Sequence, residues 1–140
     1  MPQGRIGVAP NEETLPEILK TRGYSCGMVG KWHLGHLYPF LPLQQGFDEY
    51  LGLPYSNDMW PFHPQPGHPY RALPLYDNER VVEYNPTVNH MTTRITERAT
   101  AFIDKHKNEP FLLYVPYTQP HVPLGVSDKF KGKSGEGLYL

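Results

Sequence analysis

The sequence predicts an α/β layer fold, on three observations. A short helix signature at residues 14–22 runs with almost no loop into an apolar strand at 24–30. A long amphipathic stretch at 88–107 likewise feeds the continuous apolar run Phe111-Leu112-Leu113-Tyr114-Val115. Both strands then deliver a histidine just past their C-terminal ends, His33 in one case and His121 in the other. A helix packed back against the strand it feeds is the repeating unit of layered α/β folds. The C-terminal edge of such strands is where open α/β sheets bind ligands.

Taken in order, residues 1–12 read as a loop. Thr14 can cap a helix, Pro16 is tolerated in its first turn, and Glu17 completes a capping box. Leu15, Ile18 and Leu19 form an apolar stripe at helical spacing. Lys20 and Arg22 suit the negative end of the helix dipole, and Gly23 is a left-handed stop. Tyr24 to Gly30 follows as a strand. In an extended backbone successive side chains alternate faces, so Lys31 and His33 are expected on one side and Trp32 on the other. Residues 36–75 are mostly irregular, with a short strand at Phe47–Leu51, turn chemistry at Pro54–Asp58 and a proline-fixed loop at His63–Pro69. Leu75–Tyr84 reads as a β-hairpin turning near Asp77-Asn78. Val88, Met91, Ile95, Ala99, Phe102 and Ile103 make the inner face of the long helix, and Asn108-Glu109-Pro110 stops it. The apolar run at 111–115 has the signature of a strand covered on both faces.

The 140 residues suffice for one domain with a core. Charged residues are only 19%, and 16 Pro and 13 Gly take the place of helix formers, which implies long irregular connections. A net charge of −1 gives no nucleic-acid footprint and no polybasic membrane patch. No apolar run approaches the roughly 20 residues of a membrane span. The single cysteine cannot form an internal disulfide. Phosphate loops, dinucleotide fingerprints, Gly-x-Ser-x-Gly elbows and zinc spacings are absent from the sequence. His63 and His68 are read as exposed loop residues, Cys26 as a buried thiol, and Asp48 and Glu49 as neighbours facing opposite ways rather than an acid/base pair.

A Lys-x-His pair at a strand end, or a histidine between prolines, is ordinary when met alone. Their wording and order carry more. Thr14-Leu15-Pro16-Glu17-Ile18-Leu19-Lys20, Gly23-Tyr24, Gly27 and Gly30-Lys31-Trp32-His33-Leu34-Gly35 closely resemble the second signature of the type I sulfatases. Gly46-Phe47-Asp48-Glu49-Tyr50-Leu51-Gly52-Leu53-Pro54-Tyr55-Ser56-Asn57-Asp58 is similar to the segment that follows it in arylsulfatase A-like members. Pro110–Tyr114, Tyr117, Pro120-His121 and Pro123-Leu124 resemble their later strand and histidine loop.

The resemblance implies a partial alkaline-phosphatase-like α/β/α sandwich with a mixed, mainly parallel sheet, and hydrolysis of sulfate esters. It implies that Lys31 contacts nucleophile and sulfate, that His33 takes a proton from an aldehyde hydrate, that Ser56 supports the histidine or nearby oxygens, and that His121 binds sulfate and assists the leaving oxygen. The family's cofactors are a calcium ion and a formylglycine made from Cys or Ser in a C/S-x-P/A-x-R motif. Neither that motif nor the family's metal ligands has a match here; Cys26-Gly27-Met28-Val29-Gly30 lacks both the small residue or proline and the arginine. The chain is therefore expected to be the central part of a sulfatase catalytic domain, residues 1–140, truncated at both ends and inactive alone. Its partner is expected to be a sulfated small molecule or sugar. For the family, an exported, periplasmic or lysosomal setting is expected. The alternatives are a phosphatase or phosphodiesterase on the same superfold, and a non-catalytic anion-binding relative.

Overall fold

The computed structural model describes residues 4–9, 11–63, 65, 67–68 and 70–135. Parts of the first loop and Pro64, Pro66 and Pro69 of the proline loop lie outside the described residues. The elements follow the predicted order: α1 (Leu15–Lys20), β1 (Ser25–Lys31), two short 3-10 turns (Tyr38–Phe40 and Pro42–Gln45), β2 (Glu49–Leu53), β3 (Pro74–Asp77), β4 (Arg80–Tyr84), α2 (Val88–His106) and β5 (Phe111–Tyr114).

The start of α1 is built as the sequence dictates. The Thr14 hydroxyl accepts the Glu17 amide at 3.4 Å, and the Glu17 carboxylate accepts the Thr14 amide at 2.7 Å. Two otherwise orphaned helix donors are satisfied by one reciprocal pair. Gly23 turns the chain into β1 at φ +77°. The expected inward stripe is only partly so: Leu15 and Ile18 are exposed. In a helix of six residues the face toward β1 is narrow, and Pro16 and Leu19 fill it.

The five strands form one mixed sheet in the order β4-β3-β2-β1-β5. β1 pairs in parallel with β2 and with β5, while β2–β3 and β3–β4 are antiparallel. Strand alternation sorts β1 into two layers. Cys26 and Met28 join Trp32, Phe47 and Tyr50 on the face that Leu19 of α1 also covers. Val29 joins Leu53, Leu75, Met91 and Ile95 on the face covered by α2. Helical layers thus lie on both sides of the sheet, as expected of an α/β/α sandwich.

One expectation is corrected. The strand expected at Phe47–Leu51 runs from Glu49 to Leu53. Gly46 at φ +89° redirects the chain, and Phe47 is spent as a core plug, edge-on to Trp32 at 6.0 Å. Among the described residues β5 is an edge strand and Tyr114 is 48% exposed, but both faces of its apolar run have cover: Leu112 packs on the α1-side cluster, and Leu113 and Val115 on the α2-side one.

The tip of β1 is held by two close backbone approaches. A Cβ on Gly30, whose φ is +140°, would sit 2.1 Å from the Pro116 carbonyl oxygen. A Cβ on Gly52 would sit 1.7 Å from the carbonyl oxygen of Gly30. Neither neighbour is a side chain that can swing away. Gly52→Ala is therefore expected to destabilise the fold by about 3 kcal/mol or more, the upper range of overpacking costs. The shift of the urea midpoint measures it, and an unchanged midpoint would contradict the packing described.

Candidate active site

Three successive amides carry the chain from β1 into the candidate site. Lys31 N–H donates to Pro116 O at 2.8 Å, Trp32 N–H to Leu53 O at 2.9 Å, and His33 N–H to Pro54 O at 3.1 Å. The segments following β1, β2 and β5 are thereby laced together at one edge of the sheet. Trp32 points into the α1-side core, as alternation requires, and its indole N–H donates to Phe40 O at 2.7 Å.

The alternation stops there. β1 ends at Lys31, and His33 has φ +65°. The expectation that Lys31 and His33 share a face through the pleat is corrected: a left-handed residue breaks the period of two. The His33 imidazole is held below its ordinary range, first by the protein around it and then by the Lys31 ammonium, while Asp58 pulls the other way and His121 adds to the lowering. The charges of Lys31, Asp58 and His121 are thus all felt at His33.

His121 arrives from the loop after β5, between cis peptide bonds at Gln119–Pro120 and Val122–Pro123. Its Nδ1 lies 2.7 Å from Val122 O. A carbonyl only accepts, so Nδ1 carries a proton, and in the neutral ring Nε2 is left as the acceptor. The Ser56 hydroxyl lies 3.5 Å from both ring nitrogens, at the long limit of a hydrogen bond. Ser56 is buried and reaches this place because Pro54, two residues earlier, is tied to His33.

Asn57 is a residue whose role the sequence hid. Ser-Asn-Asp reads as a plain turn, and nothing in a single sequence marks the middle residue as buried. Yet Asn57 is 1% exposed, and its amide Nδ2 sits 3.5, 3.3 and 3.4 Å from the carbonyls of His121, Val122 and Pro123. It fastens the β2 exit to the histidine loop. Among the described residues, Asn57 Oδ1, Asp58 Oδ1, Thr118 Oγ1 and Gln119 Nε2 are buried without a hydrogen-bond partner. Four unsatisfied polar atoms on two adjoining loops are unusual for a folded interior.

The remaining candidates are structural. Cys26 is fully buried; burial, then Asp48, raises its thiol pKa, so it is a poor thiolate. Asp48 accepts the Cys26 amide at 2.8 Å and pairs with Lys20 at 2.7 Å. Glu49 turns the other way, to Arg98, Lys105 and His106. His106, buried at the end of α2, also bonds Glu109. His68 stacks on Tyr70, and His63 packs tilted against His68 and edge-on to Tyr70. Among the described residues no group of three or more His, Cys, Asp or Glu is placed to hold a metal ion. Calcium asks for six to eight oxygen ligands, and the residues described do not supply such a set.

The sulfatase family model, described as "Sulfatase", matches residues 2–137. Arylsulfatase G of Mus musculus is 38% identical over 157 residues, an alignment covering 95% of this chain and 30% of that protein. N-acetylgalactosamine-6-sulfatase of Homo sapiens is 36% identical over 152 residues, covering 99% of this chain and 28% of that protein. The chain thus spans about 30% of the length of the curated relatives it matches. Among solved structures, Ps i-CgsB in complex with k-i-k-neocarrahexaose superposes with a TM-score of 0.68 at 28% identity, over 87% of this chain and 30% of that one. The PsFucS1 sulfatase from Pseudoalteromonas sp. superposes with a TM-score of 0.72 at 18% identity, over 96% of this chain and 32% of that one, a likeness of fold.

The lowered His33 pKa makes a direct prediction. Its ring is expected to titrate below about 6.5 in an NMR pH series, and Lys31→Met is expected to move the midpoint upward. The sign for stability follows from linkage. The unfolded chain binds the proton at higher pH than the folded one, so protonation in the unfolded state costs the fold stability as pH falls through that window. A His33 midpoint that ignores Lys31→Met would contradict the placement of the ammonium.

Proposed function

The chain belongs to the sulfatase family, and on that premise we propose that it supplies the oxyanion-holding half of a sulfate-ester hydrolysis site, built from Lys31, His33, Ser56 and His121. The observation that carries this reading is the convergence of the tips of β1, β2 and β5 on one edge, where the amides of Lys31, Trp32 and His33 are tied to Pro116, Leu53 and Pro54 and Ser56 lies 3.5 Å from His121.

Each residue's chemistry suits a tetrahedral anionic ester. Lys31 brings a fixed cation to oxygens on which charge develops. His33, kept neutral at ordinary pH, is able to accept a proton there. His121 holds one ring proton on the Val122 carbonyl, which fixes the ring, and Ser56 lies 3.5 Å from both of its nitrogens. In this reading His121 binds the sulfate and, when its ring is doubly protonated, delivers the Nε2 proton to the leaving oxygen, which leaves the neutral ring with Nε2 as an acceptor; Ser56 holds the imidazole or a sulfate oxygen. The family generally uses calcium and formylglycine. The described residues do not fit the metal, and the sequence holds no C/S-x-P/A-x-R motif, so no step is drawn through either group. We propose that in the whole protein both are held by sequence other than these 140 residues, and that the chain is the central part of the catalytic domain. A sulfated sugar is the proposed substrate, in keeping with the sugar-sulfate names of relatives and the carrageenan oligosaccharide bound by one structural neighbour. An exported, periplasmic or lysosomal setting is proposed on the family's habit. No helix among the described residues is long and apolar enough to cross a membrane.

Two assays test this reading. The isolated 140-residue chain, given an aryl sulfate and calcium, is expected to show no turnover beyond its His33→Ala variant; catalysis above that control would show that the chain is sufficient. In the full-length protein, Lys31→Ala or His121→Ala is expected to lower kcat/KM for a sulfate ester by about 10²–10⁴-fold. Equal activity of these variants with wild type would sink the assignment. A full-length protein that hydrolyses phosphate esters in preference to sulfate esters would favour the phosphatase alternative.

A further inference from the structure

Beside the candidate active site lies a second cleft, of about 490 Å³. Arg5, His36 and Arg71 supply its polar wall, and Tyr55 and Tyr76 its aromatic one. Among the described residues no aspartate or glutamate lines it. Four other cations are paired: Lys20 with Asp48, Arg94 with Glu83, Arg98 with Asp77, and Lys105 with Glu49. Among the described residues neither Arg5 nor Arg71 has a carboxylate partner. Two unpaired guanidinium groups at one acid-free cleft make a locally positive field, and guanidinium is the side chain best shaped for bidentate contact with carboxylate or sulfate-like oxyanions.

The cleft also shares its framework with the active site. Pro54 and Tyr55 line the cleft, and Ser56, the next residue, reaches His121. His33 is in the site and His36 is in the cleft, the latter edge-on to Tyr55 at 6.0 Å. Three residues of chain span at most about 11 Å, and two at most about 7 Å. The two places are therefore within reach of one small oligosaccharide. Tyr55, buried, has its phenol pushed up to about 12, chiefly by desolvation. It remains a neutral hydrogen-bond donor at any working pH.

We propose that this cleft is a second anion subsite, in which Arg5 and Arg71 receive a carboxylate or sulfate carried by the sugar next to the one that bears the reacting sulfate. The inference rests on the functional reading above and sharpens it. The substrate is then a polyanionic saccharide, not an isolated sulfated monosaccharide or a neutral-chain sulfate. Selectivity between substrates comes from a charge the reaction itself does not consume.

Equilibrium binding to the full-length protein tests the proposal independently of turnover. The probes are two disaccharides with the same sulfated sugar, one with a neutral neighbour and one whose neighbour carries a second acid group. The second acid group is expected to tighten binding by about tenfold at low salt, and the gain is expected to shrink as ionic strength rises. The double variant Arg5→Gln/Arg71→Gln is expected to abolish that gain while leaving the affinity for the neutral-neighbour probe unchanged, and Arg5→Lys/Arg71→Lys to keep part of it. Equal binding of the two probes by the wild-type protein overturns the proposal without recourse to any variant, as does a double variant that weakens both probes alike. Lys31→Met reports on the functional reading separately. It is expected to weaken both probes; if it weakens neither, the reacting sulfate is not at Lys31, and the functional reading falls with this inference.

Discussion

Everything at the functional edge depends on how closely three backbones approach around Gly30. The carbonyl of Gly30 is pressed against Gly52 on one side, and the Gly30 Cα against Pro116 on the other. With no side chain in either gap, β1 sits tightly between β2 and the segment after β5. The three amides of residues 31–33 then find their acceptors at Pro116, Leu53 and Pro54. The cation, the serine and the two histidines come from segments separated by up to 90 residues. Their meeting is a matter of backbone packing first and side-chain chemistry second. A site built on strand ends in this way is pre-positioned by the core, and folding has already met the entropy of assembling it.

Charge is distributed in a way that follows the same division. Where α2 crosses the sheet, Arg94, Arg98 and Lys105 are matched by Glu83, Asp77 and Glu49. Such half-exposed pairs add little stability each. Among the described residues Lys31, Arg5 and Arg71 have no such partner, and all three are gathered at the edge where β1 and β2 end. A field of one sign at a concave edge raises the local concentration of an oppositely charged ligand. The lowered His33 pKa, due first to desolvation, fits that setting: the same cation that would hold an oxyanion also opposes a proton on the ring.

Much of this was legible in the sequence, for reasons that can be named. The capping box at Thr14–Glu17 and the hairpin turn at Asn78 are local devices, encoded within three or four residues. The face of α2 is a periodicity, readable wherever Met91, Ile95, Ala99 and Phe102 recur. Lys31, His33, Ser56 and His121 were named from the resemblance, and the fold brings them to one edge. What was not legible is long-range. Asn57 looks like a turn residue until the loop 64–66 positions further along the chain is laid upon it. Arg5 and Arg71 are unremarkable alone and become a pair only across a cleft. The edge position of β5 among the described residues was not legible, because an apolar run reports what a strand's faces prefer to touch, and not which strands lie beside it.

The left-handed backbone at His33 separates two meanings that a substitution usually confounds. Histidine is among the few non-glycine residues that occupy such a conformation with some ease, together with asparagine and aspartate. A β-branched residue there would be penalised by its own backbone before its chemistry was asked anything. Asparagine removes the imidazole while respecting the turn that hangs on Pro54. The position therefore admits a narrow alphabet on conformational grounds, and within that alphabet only histidine titrates near neutrality. Backbone geometry and acid–base function have converged on the same letter.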